Sequence, residues 1–128
     1  MNSMTVIHSD NAPEAVGPYS QAVVSGGVLY ASGQIGLLPA ESKLVADDVK
    51  AQTCQVTENL TAVLNEAGAS ITDVVKVNIF LTDMNDFPLV NKIYANWLGE
   101  HRPARATVAV AALPLAAKVE MDMIARIV

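Results

Sequence analysis

The sequence has one cysteine, Cys54, and two histidines, His8 and His101. A lone cysteine excludes an internal disulfide and fits a reducing, cytosolic setting. Cys54, His8 and His101 do not show metal-ligand spacing, and each reads as a structural or surface residue. Positive charge is scarce: eight lysines and arginines face thirteen acidic residues, for a net charge of −5 and a pI near 4.8. The basic residues are scattered, with no stripe and no aromatic-rich basic motif. Nucleic-acid binding by phosphate neutralisation is therefore not expected. Long apolar runs are also missing. The longest uncharged apolar stretch, Ala106 to Ala117, is shorter than the ~20 residues a membrane span needs, and it contains Pro114. The first residues, Met1 to Thr5, lack a charged region followed by an apolar one. No signal peptide is expected, and the location implied is cytoplasmic.

What is present is apolar. Hydrophobic residues make up 52% of 128 residues and the mean hydropathy is +0.33. That length suits one domain, residues 1–128. Its apolar content exceeds what a monomer of this size ordinarily covers, so a subunit interface is expected.

Thr5 to His8 reads as a short strand. Gln21 to Ser25 and Val28 to Ser32 flank Gly26-Gly27, which is a strong hairpin signal because a type I′ turn needs positive φ at both central positions. Tyr19 follows Gly17-Pro18, so its ring is expected to project from a loop. Gly33 ends the second hairpin strand, where a missing Cβ either marks a bulge or lets a ligand approach. A long helix follows, capped by Asp47 or Asp48. Its stripe is Val49, Thr53, Val56, Leu60, Val63, Leu64 and Ala67, its end is Gly68, and Cys54 packs beside it. Val74 to Leu81 alternates as a strand. Val75, Val77, Ile79 and Leu81 are expected on one face, with Val74, Lys76, Asn78 and Phe80 on a mixed one suited to a subunit contact.

A second helix is predicted from Asn85-Asp86, with Pro88 in its first turn and a stripe of Phe87, Val90, Ile93, Tyr94, Trp97 and Leu98. Glu100-His101-Arg102 reads as a solvated link. Ala104 to Val110 and Lys118 to Met123 are two further strands, joined through Pro114. The order is β–β–β–α–β–α–β–β. Right-handed crossovers then place both helices on one face of the sheet and leave the other bare.

The last two strands carry Arg105 and Glu120 within apolar sequence. If both strands turn their large apolar residues the same way, Arg105, Thr107 and Glu120 share the face opposite Val108, Val110, Val119, Met121 and Met123. Alone, such a charge pair reads as an ordinary cross-strand ion pair, contributing about 0–1 kcal/mol if exposed. The run Pro103-Ala104-Arg105-Ala106-Thr107-Val108, then Ala111-Ala112-Leu113 and Val119-Glu120-Met121, changes that balance. With Asn11-Ala12-Pro13, Gly17-Pro18-Tyr19-Ser20-Gln21-Ala22, Ser32-Gly33-Gln34-Ile35 and Asp86-Phe87 through Val90-Asn91, it resembles the reactive-intermediate deaminase family of RidA/YjgF type along the whole chain.

The resemblance implies an α+β fold of the chorismate-mutase-like type, with two helices on one face of a sheet. It implies a barrel-like homotrimer with clefts between subunits. The activity implied is hydrolysis of 2-imino acids, such as 2-iminobutanoate and 2-iminopropanoate, to 2-oxo acids and ammonia, with no cofactor and no metal. By the same resemblance Arg105 would bind the substrate carboxylate and Glu120 would orient the attacking water. Gly33 and Thr107 would offer main-chain groups, Tyr19 and Ser32 would line the cleft, and Asn91 would contribute from the second helix. Thr107 stands where many deaminase members have cysteine. Glu120, beside Arg105, is expected to stay ionised. The alternative is a trimer that binds 2-oxo acids without turnover. The family's association with ribonuclease activity fits this acidic chain poorly.

Overall fold

The computed structural model describes residues 3–128. Eight main elements run in the order expected: β1 (Thr5–Ile7), β2 (Ala22–Ser25), β3 (Val28–Gln34), α1 (Val49–Glu66), β4 (Val74–Leu81), α2 (Phe87–Leu98), β5 (Ala104–Ala109) and β6 (Val119–Arg126). The strands form one sheet in the order β1-β2-β3-β6-β4-β5. β6 pairs antiparallel with both β3 and β4, and β5 pairs parallel with β4. The steps β3–α1–β4 and β4–α2–β5 both move toward the β5 edge. Crossovers of one hand moving in one direction put both helices on the same face, where α1 and α2 pack together.

Local chemistry sets the element ends. Gly26 and Gly27 have φ of 59° and 77°, as a two-residue hairpin turn demands. Asp48 caps α1, its carboxylate accepting from the backbone N–H groups of Lys50 and Ala51. Val56, Leu60 and Val63 from α1 are fully buried against Val77, Ile79, Leu81, Val119 and Met121 of the sheet. Each such side chain removed from water contributes about 1.5–3 kcal/mol. Cys54 is exposed and takes no part in this packing.

Two bulges alter the predicted faces. Val74 pairs with Ala125 and Lys76 with Ile124, leaving Val75 as the extra residue. Val74 is therefore in the core at 1% exposure, while Val75 is 46% exposed, the reverse of the simple alternation. In β3, Ala31 pairs with Met123 and Gln34 with Met121, so the second bulge lies at Ser32-Gly33. The Glu100–Arg102 link is more tied down than expected: the His101 ring lies 2.6 Å from the carbonyl oxygen of Val74.

No helix among the described residues is long and apolar enough to cross a membrane. The sheet face away from the helices carries Val6, Tyr30 and Val108, which are 58%, 48% and 47% exposed. Toward the β4 side of that face, Asn78 donates to Asp122 Oδ1 at 2.9 Å.

Candidate active site

β4 lies between β5 and β6, so Arg105 and Glu120 are not cross-strand neighbours. Val77 pairs with Arg105 and Ile79 with Thr107, and both valine and isoleucine are core residues under the helices. Phe80 pairs with both Val108 and Glu120. Paired residues share a face. Arg105 and Thr107 therefore point to the helix side, and Glu120 points to the bare side with Val108. The expectation that all three share one face is corrected. It assumed that β5 and β6 turn their apolar residues the same way, whereas edge strand β5 turns Val108 outward.

Arg105 is presented by α2. Its Nη1 donates to Asn91 Oδ1 at 2.6 Å. Its guanidinium carbon lies 5.2 Å from the ring centroids of both Phe87 and Tyr94. Cation–π contact of this kind orients a cation without neutralising it. No carboxylate among the described residues forms an ion pair with it. Asn91 thus positions the arginine. Nearby on the same strand face, the Thr107 hydroxyl is buried without a hydrogen-bond partner. A buried polar atom left unpaired is unusual in a finished structure and marks a place where a ligand can bond.

Glu120 sits elsewhere, in a cavity of about 460 Å³ with Tyr19, Gly33, Ile35, Pro114 and Leu115 among its lining. A Cβ on Gly33 would lie 2.7 Å from Glu120 Oε2. The glycine is therefore needed by this carboxylate, which occupies the space that the sequence reading offered to a ligand. Burial pushes the Glu120 carboxyl above its ordinary range, and the neighbouring Asp122 adds to the push. The expectation that Arg105 holds it ionised fails within one chain, because the guanidinium is on the other side of the sheet.

The remaining candidates divide. Tyr19 is half exposed on its loop, as expected, and its hydroxyl accepts from the Val16 N–H at 3.3 Å. Ser32 does not line the Glu120 cavity. Its hydroxyl donates to the Ser20 carbonyl at 2.6 Å, and it borders a separate hollow with Tyr30 and Ala31.

Two contributors were not foreseen. Gln21, 2% exposed, accepts from the Ser9 N–H and donates to the carbonyls of Ser9 and Pro13, fixing the loop that leads to Tyr19. Leu115 is 64% exposed at the cavity rim, in a left-handed conformation (φ 56°) followed by Ala116 (φ 57°). Two successive non-glycine residues in that region are strained, and strain of this kind gathers at functional sites. Only Pro114, read as a plain connection, signalled this turn.

The molecule thus carries two incomplete half-sites: an uncompensated guanidinium with a free hydroxyl at the β5 edge, and a carboxylate in an apolar cavity on the other face.

Known proteins resemble this chain over most of its length. The family model described as "Endoribonuclease L-PSP" matches residues 9–127. The chain is 47% identical over 120 residues to a RutC family protein of Pyrococcus horikoshii, covering 94% of this chain and 95% of that one. It is 42% identical over 120 residues to the human 2-iminobutanoate/2-iminopropanoate deaminase, covering 94% and 88%. Among solved structures, RidA from an Antarctic Psychrobacter superposes with a TM-score of 0.92 at 47% identity, covering 96% of this chain and 99% of that one.

Proposed function

This chain belongs to the endoribonuclease L-PSP family, in its RidA-type (RutC/YjgF) branch, and from that premise we propose that it hydrolyses 2-imino acids to 2-oxo acids and ammonia in clefts between copies of itself. The observation that carries the proposal is the split of the two chemical groups. Among the described residues Arg105 forms no ion pair with a carboxylate, and Glu120 forms none with a cation. A closed assembly that lays the β5 edge of one copy beside the Glu120 cavity of the next completes both. The bare apolar sheet face, with Val6, Tyr30 and Val108 exposed, supplies surface for that contact. A homotrimer of the chorismate-mutase-like kind is the assembly we propose, with no cofactor and no metal in the reaction.

In this arrangement Arg105 binds the substrate carboxylate through the N–H groups not given to Asn91. Lysine offers no equivalent planar pair of donors. Glu120 accepts a proton from a water as its oxygen bonds to C2 of the imine. The adduct takes that proton on nitrogen to give the carbinolamine; its hydroxyl proton then passes through Glu120 to the nitrogen as the C–N bond breaks and the C=O bond forms, and ammonia and the 2-oxo acid leave. Burial raises the affinity of this carboxyl for the proton, and Arg105 of the neighbouring copy opposes that rise, so Glu120 can both take the proton and give it back. The imine carbon is electrophilic already, so placing water and substrate together is the main contribution asked of the protein.

The test generates 2-iminobutanoate from threonine with a dehydratase and follows 2-oxobutanoate release. Purified protein is expected to accelerate release in proportion to its concentration. Saturable 2-oxobutanoate binding without acceleration would overturn the catalytic reading in favour of a binding protein.

The raised Glu120 carboxyl has a consequence for stability. A folded-state pKa above the unfolded one gives a contribution that is complete below the ordinary glutamate range and is lost as pH rises through the raised value. A neighbouring Arg105 offsets this loss. In an Arg105→Ala background, Tm is therefore expected to fall across that window, and adding Glu120→Gln should flatten the fall. Parallel thermal scans against pH check it; identical profiles for the two proteins would contradict the raised pKa.

A further inference from the structure

A second cavity, of about 290 Å³, lies between the end of α2 and the start of β5 and is lined by Tyr94, Leu98, Arg102, Pro103 and Arg105. It holds two guanidiniums and no acidic residue, in a chain whose net charge is −5. Among the described residues no carboxylate forms an ion pair with either arginine. Arg102 is held in place: its Nη1 donates to the carbonyls of Gly99 at 2.7 Å and His101 at 2.8 Å. Both carbonyls lie just past the end of α2, Gly99 as its cap and His101 in the link that follows, so Arg102 is anchored there and keeps its other N–H groups for a ligand.

The third component is Tyr94. It is 5% exposed, and its hydroxyl has no hydrogen-bond partner. The Arg105 guanidinium carbon lies 5.2 Å from the Tyr94 ring centroid, and Arg102 lines the same cavity. An unpaired buried O–H in a cavity with two uncompensated cations lacks an acceptor, and an oxyanion bound there meets all three groups.

We infer that this cavity is a subsite for a second carboxylate, so that the protein takes 2-imino and 2-oxo acids with an acidic side chain, the far carboxylate resting on Arg102 and the Tyr94 hydroxyl. The inference rests on the proposed role of Arg105 at the first carboxylate. Shared between the two positions, Arg105 links them. The far carboxylate of a dicarboxylic acid gains charge-assisted hydrogen bonds that a methyl or ethyl group cannot make.

Calorimetric titration of the assembled protein with 2-oxobutanoate and with 2-oxoglutarate tests this without relying on turnover. The expected result is about tenfold tighter binding of 2-oxoglutarate, on the order of one charge-assisted contact. Arg102→Gln should bring the two affinities to within a factor of two, by weakening 2-oxoglutarate alone. Tyr94→Phe, which keeps the ring beside Arg105, should remove part of the same advantage. If 2-oxobutanoate binds but 2-oxoglutarate is no tighter, or if the advantage survives Arg102→Gln, the subsite is refuted and the functional proposal stands. If neither acid binds, both fail. If only 2-oxoglutarate binds, and does so through Arg102, the subsite holds and the assignment of Arg105 to monocarboxylic substrates is overturned.

Discussion

Replacing Arg105 by alanine should lower kcat/KM for 2-iminobutanoate by about 10²- to 10³-fold, roughly 3–4 kcal/mol of lost transition-state binding. The size follows from what the side chain does. It sits between the Phe87 and Tyr94 rings with one N–H on Asn91, and no carboxylate among the described residues competes for the rest. Its loss therefore leaves the substrate carboxylate without the planar pair of donors proposed to hold it. The fold should survive the change, since Arg105 is exposed in the single chain and forms no ion pair among the described residues, and the Tm change expected is the pH-dependent one tied to Glu120. Arg105→Lys separates charge from geometry. It keeps the cation but loses the fork, and an intermediate fall of about tenfold or more is expected. Steady-state rates for the two variants, with thermal scans to confirm folding, decide the matter. Alanine activity within a factor of three of the unaltered protein would remove Arg105 from the site.

The sequence carried the order of elements, the hairpin, both helices and their stripes, because those features depend on residues close together in the chain. It did not carry sheet order. β6 enters between β3 and β4, and no local pattern announces an insertion of that kind. The error over Arg105 and Glu120 follows from this. The shared face expected for them rests on both strands turning their large apolar residues the same way, and β5, set beyond β4 at the sheet edge, turns Val108 outward instead. The bulges at Val75 and at Ser32-Gly33 were hidden for a related reason, since an extra residue leaves the composition of a strand unchanged while shifting its pattern. Among the candidate site residues, Arg105, Glu120, Gly33 and Tyr19 are legible through motif resemblance. The structure gives Gly33 and Asn91 roles toward Glu120 and Arg105. Gln21, Leu115 and the Tyr94 hydroxyl were not legible as site components, because their parts depend on burial and loop shape.

Two inactive variants should restore each other. Arg105→Ala and Glu120→Gln copies, mixed in equal amounts, unfolded and refolded together, are expected to recover about a quarter of the unaltered activity. In a closed assembly each cleft draws Arg105 from one copy and Glu120 from the next, and each is intact with a chance of one half. A site contained in one chain gives no recovery, because every copy carries a defect. The reciprocal mixture sharpens the test. Unaltered chain refolded with an equal amount of the Arg105→Ala/Glu120→Gln double variant should retain about a quarter of full activity if sites are shared, but about a half if each chain holds its own. These fractions do not depend on whether the closed ring has two copies or three, so a separate mass measurement fixes that number. The expectation rests on the sheet itself. Arg105 pairs with core-facing Val77, and Glu120 pairs with outward-facing Phe80, so the strand between them holds the two groups on opposite sides. Rotating a side chain about its own bonds does not carry it through a hydrogen-bonded strand. Only a second copy can bring a guanidinium to that carboxylate.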